Sequence, residues 1–63
     1  MGYYRLYFMN RSNGHIERFE EFDAADDSSA VSIADGHIGD QPLELWSGHR
    51  KVQRFEAVGE YFS

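Results

Sequence analysis

Cysteine is missing from this 63-residue chain altogether, so neither a disulfide nor a thiolate metal site can hold it together. Proline occurs once, at Pro42, and no apolar run approaches the ~20 residues that a membrane-spanning helix needs. No basic stretch followed by an apolar segment opens the chain, and Leu6 stands where a myristoylation signal needs Ser or Thr. These absences predict cytoplasmic residence and no membrane attachment. Positive charge is scarce as well: six Lys and Arg stand against eleven Asp and Glu, for a net charge of −5. Nucleic-acid binders draw affinity from neutralising phosphates, so this balance argues against nucleic acid as a partner.

Aromatic side chains, by contrast, are abundant: five Phe, four Tyr and one Trp make 16% of the chain. A domain this small buries only about 60% of the surface its unfolded form exposes. It therefore usually needs a staple, which here means a non-thiolate metal, an unusually tight core or a partner subunit. Each enclosed ring buries roughly 150–250 Å², more in total than one thin core absorbs. Self-association is the staple this composition favours.

The opening segment YYRLYFMN, Tyr3 to Asn10, alternates with Tyr4, Leu6 and Phe8 on one face and Tyr3, Arg5, Tyr7 and Met9 on the other. That period of two predicts a strand. Asn13-Gly14 supplies a hairpin turn, and HIERFEEF, His15 to Phe22, is the return strand. Ile16, Phe19 and Phe22 in it are spaced by three, which suits a short helix too. The preceding turn and a better helix start downstream favour the strand. Ile16 and Phe22 then face the core and Phe19 the other side, unless a bulge resets the register.

In FDAADDSSAVSIADGHIG, Asp23 and Asp26-Asp27 can cap exposed amides at a helix start. Ala30, Ile33, Ala34 and His37 or Ile38 then form an apolar stripe with Val31 beside it. Gly36 and Gly39 end the helix, Gly39 being the expected C′ glycine. The last hairpin joins LELW and RKVQRF through a turn centred on Ser47-Gly48. Leu43 then faces Val52, Glu44 faces Lys51, Leu45 faces Arg50 and Trp46 faces His49. Arg54 falls on the core side and Phe55 on the other unless a bulge intervenes near Gln53. The expected fold is α+β: a ββαββ domain with a four-stranded antiparallel sheet and one helix packed on one face. One domain spans residues 1–63, with an ordered core over about 3–56 and a tail over 57–63 that carries Tyr61 and Phe62.

One helix shelters one face, for which Tyr4, Leu6, Phe8, Ile16, Phe22, Leu43, Leu45 and Val52 are the expected core. The other face keeps Tyr3, Tyr7, Phe19, Trp46 and Phe55, an aromatic patch larger than soluble monomers usually expose. These five are the candidate interface residues, with Tyr7, Phe19 and Trp46 as anchors. His15, His37 and His49 each follow a glycine and form no i, i+4 pair, so no metal site is expected. Ser28 and Ser29 sit in the helix's first turn without a nucleophile elbow, and the acidic run from Glu17 to Asp27 lacks a calcium-loop pattern. No catalytic residue and no cofactor is expected.

The segments YRLYFMNRSNGHI, FDAADDSSAVSIADG and PLELWSGHRKVQRF resemble a group of short bacterial proteins common in alphaproteobacteria. These share a Tyr-Arg-aromatic first strand, an Ala/Asp-Asp helix start and a closing Leu-Trp-x-Gly-x-Arg hairpin. The likeness runs from about Tyr3 to Phe55 and implies the ββαββ fold; no activity or functional residue comes with it. The functional expectation is a non-enzymatic interaction module, a homodimer or a binder of another protein, that uses the aromatic face or an edge strand. A binding module for a small apolar ligand or a peptide strand is the alternative, and a single-stranded nucleic-acid binder ranks third.

Overall fold

A computed structural model describes residues 2–58, and the expectation for Tyr61 and Phe62 lies outside them. The chain folds as β1 (Gly2–Met9), β2 (Ile16–Ala24), α1 (Asp27–Asp35), β3 (Leu43–Ser47) and β4 (Arg50–Phe55). All sheet neighbours are antiparallel, in the order β2-β1-β3-β4. The α+β ββαββ architecture is therefore as the sequence predicts. The strand order adds what periodicity cannot give. β1 lies in the middle, so β2 and β3 run parallel on either side of it, and the helix crosses over between them.

The core sits between the helix and one sheet face. Tyr4, Leu6 and Phe8 of β1, Leu43 and Leu45 of β3, Phe55 of β4, and Ala24, Ala30 and Ala34 are all buried. Leu6, Leu43 and Leu45 fill the seam between the two central strands. Ala30 and Ala34 have no exposed surface and join these leucines in one core cluster. Asp26 caps the helix, its Oδ1 accepting from Ser29 N at 2.9 Å. Asp27 accepts from the Tyr4 hydroxyl at 2.7 Å and from both terminal nitrogens of Arg50, at 2.8 and 3.1 Å. That clamp fixes the helix's rotation. The inward stripe is Asp27, Ala30, Val31, Ala34 and Ile38, and Ile33, expected within it, points to solvent. The helix ends at Gly36 rather than Gly39, with φ −70°, and amides 36–38 tighten onto carbonyls three residues back.

Two β-bulges, one on each edge strand, correct the expected register. In β2, Phe8 pairs with Arg18 but Met9 with Ile16, so Glu17 is an extra residue. Its carboxylate accepts from Asn10 Nδ2 at 2.6 Å and Gln41 Nε2 at 2.7 Å, tying the bulge to the loops around it. Beyond the bulge Ile16 leaves the core face and joins Phe19 on the opposite one, 53% exposed. In β4, Leu45 pairs with Gln53 but Trp46 with Lys51, which makes Val52 the extra residue. The turn itself is Gly48-His49, not Ser47-Gly48, with Ser47 facing Arg50. Gly48 has φ +62° and His49 a negative φ, the signs of a type II′ hairpin turn. Turn and bulge together place Phe55 opposite Leu43 in the core and Arg54 opposite Glu44 on the open face. Phe55 is thus a core residue, not the interface residue the sequence suggests.

Candidate interaction face

The face away from the helix is built by alternation along all four strands. Tyr3, Arg5, Tyr7 and Met9 of β1 form its spine. β2 adds Ile16, Phe19, Glu21 and Asp23; β3 adds Glu44 and Trp46; β4 adds Lys51 and Arg54. Four of the five residues expected there, Tyr3, Tyr7, Phe19 and Trp46, share this face. Tyr3 and Phe19 are about half exposed, and Tyr7 and Trp46 are partly covered by their neighbours. The Tyr7 and Phe19 rings meet edge to face at 6.0 Å across the β1–β2 pair. The Arg5 guanidinium lies 4.5 Å from the Phe19 ring centre, within the range of a cation–π contact.

Every cation on this face has an acidic partner. Arg5 is bonded to Glu21. Lys51 and Arg54 both reach Glu44 Oε2, at 3.3 and 3.0 Å, and Arg54 also holds Glu56 at 2.8 Å. The Trp46 indole N–H donates to Glu44 Oε1 at 3.1 Å. Burial works to raise the Glu44 pKa, but Trp46, Lys51 and Arg54 outweigh it and leave the carboxyl below its ordinary value. The Tyr3 hydroxyl and the Arg5 guanidinium likewise hold Glu21 low. The Glu44–Lys51 pair is the one the sequence suggests, reached diagonally because Val52 displaces the direct register.

Trp46 faces Lys51 rather than His49, which sits in the turn. His49 and Gly48 instead line two shallow grooves on the open face. One, of about 190 Å³, lies against Tyr3, Arg5 and Tyr7, and the other, of about 300 Å³, against Tyr7, Ile16, Glu44 and Trp46. His37 belongs elsewhere, edge-on to Phe8 at 5.8 Å on the helix side. Among the described residues no three His, Asp or Glu side chains converge on a metal-sized site. No helix among them is long and apolar enough to cross a membrane.

The sequence misses Ile16 as a member of this face and reaches Arg54 only through the bulge it allows near Gln53, which falls at Val52. The signal for Arg54 was present, since an arginine pointing into a core without a partner is a register that cannot stand. Ile16 carried no such signal, because either face accepts an isoleucine at the end of a hairpin. Comparison with protein-family models, curated proteins and solved structures returned no match.

Proposed function

We propose that the chain is a non-catalytic interaction module that self-associates through the open sheet face. The observation that carries this reading is the set of Tyr3, Ile16 and Phe19, each about half exposed on one face, beside Tyr7 and Trp46. Exposed apolar patches of this kind mark protein contacts more often than free surface. Each cation on the face has a carboxylate partner, so covering it strands no unpaired positive charge. The edge strands are poorer contacts. Bulges at Glu17 and Val52 interrupt both outer ladders, and β2 carries Glu17, Arg18, Glu20, Glu21 and Asp23, devices that discourage strand addition. One groove falls below and the other at the lower limit of ligand pockets, usually about 300–1,000 Å³, which favours a broad docking plane over a small-molecule site. A single-stranded nucleic acid fits less well still, because the arginines and lysine that would meet phosphate are already held by carboxylates.

Sedimentation equilibrium of the purified chain tests this directly. A dimer is expected, and Trp46→Ala should weaken it about tenfold or more, as loss of a central aromatic anchor does. Ile33→Ala, on the solvent side of the helix, should leave it unchanged. A wild-type chain that stays monomeric at millimolar concentration, or a dimer indifferent to Trp46→Ala, overturns the reading.

A further inference from the structure

The open face has an order that selects one arrangement of two copies. Its side chains form two complete rows across the sheet. One row reads Glu21, Arg5, Trp46, Lys51 from β2 to β4, and the next reads Phe19, Tyr7, Glu44, Arg54. Sheets stacked face to face lie about 10 Å apart with their strands within about 30° of each other. A symmetric pair therefore has its twofold axis in the interface plane, running either along the strands or across them.

An axis along the strands, between β1 and β3, keeps each row in place and reverses its order. Glu21 then meets the partner's Lys51, and Arg5 meets the partner's Trp46. In the second row Phe19 meets the partner's Arg54, and Tyr7 meets the partner's Glu44. These four meetings are an ion pair, a cation on an indole, a cation on a phenyl ring and a hydroxyl facing a carboxylate. All four are favourable contacts. An axis across the strands instead lays β4 on β4 and β2 on β2. Lys51 then meets the partner's Arg54, and Glu21 finds no cation of the partner. With the axis centred on the two rows in each case, charge complementarity separates the arrangements.

We propose, resting on the self-association reading above, that two copies pack open face to open face about a twofold axis parallel to their strands, β2 of each over β4 of the other. The first row is a charge palindrome under this operation, and the acidic side of each face is matched to the basic side of its mate.

The absence of cysteine makes the test clean, because any thiol introduced is the sole one. Glu21→Cys and Lys51→Cys are made separately, their dimerisation is checked by sedimentation, and they are treated with a bismaleimide whose reach is about 10 Å, the spacing of stacked sheets. The expected result is a covalent dimer from the equimolar mixture and none from either variant alone, because Glu21 and its symmetry mate lie on opposite sides of the interface. If either substitution weakens association, Phe19→Cys with Arg54→Cys repeats the test one row along. A dimer in which Glu21→Cys links to itself, or in which neither mixture links, overturns the proposed axis and leaves self-association standing. A monomer by mass removes both.

Discussion

Phe55 and Ile16 are both large, apolar and on edge strands, yet one is 6% exposed and the other 53%. Their fates are set by single extra residues, Val52 and Glu17, that invert the facing of everything beyond them. Phe55→Ala should therefore cost about 3–5 kcal/mol, a large share of the stability of so small a domain. Ile16→Ala should change it by no more than about 0.5 kcal/mol. Urea unfolding at concentrations too dilute for association measures both, and equal losses would contradict the assigned facings. At this scale the sequence is legible where alternation is unbroken. Tyr4, Leu6, Phe8, Leu43 and Leu45 fall in the core as their spacing predicts, and Tyr3, Tyr7, Phe19 and Trp46 fall on the open face. Past the Val52 bulge it is legible only through the misfit of an inward Arg54, and past the Glu17 bulge it is illegible, because that extra residue is recognised only from its partners. For Glu17 those are Asn10 and Gln41, and nothing local announces them.

At the scale of elements, glycines divide by backbone rather than by position. Gly48 holds φ +62° in the β3–β4 turn, where an added Cβ meets no atom, so its cost is conformational alone. Gly48→Ala should destabilise by about 1–2 kcal/mol. Gly36, at φ −70°, needs no glycine, and its Cβ would make only ordinary contact with the Ile33 carbonyl at 3.4 Å. Gly36→Ala should stabilise by about 0.4–1 kcal/mol by restricting the unfolded chain. Opposite signs in thermal or urea unfolding are the check. The helix start was readable, since Asp26 is a cap by residue type and place. The helix's rotation was not, since it depends on Asp27 meeting Tyr4 and Arg50 from strands that are distant in sequence.

For the whole molecule, acid should be the weak side. Arg50 first, then Tyr4, hold Asp27 below the ordinary carboxylate range; the Ser29 backbone and hydroxyl do the same for Asp26. Glu21 and Glu44 are lowered as well. A carboxyl whose folded pKa lies below its unfolded value adds stability above about pH 4, and that stability fades as pH falls through and below this range. The urea midpoint should thus drop between pH 6 and pH 3, and Asp27→Asn should shrink the drop while lowering the midpoint at pH 6. An unaltered pH profile in Asp27→Asn would remove the Tyr4–Asp27–Arg50 clamp from the account.

The central place of β1 has a consequence for how such a chain comes into being. Its first strand takes one neighbour from the hairpin that follows at once and the other from β3, on the far side of the helix. Leu6 closes against Leu45 across that gap, and neither half holds an enclosed interior of its own. During synthesis the leading hairpin must therefore wait, one rim of β1 bare, until the closing hairpin leaves the ribosome. Cutting the backbone near Gly39 would give two pieces that take shape only in each other's company.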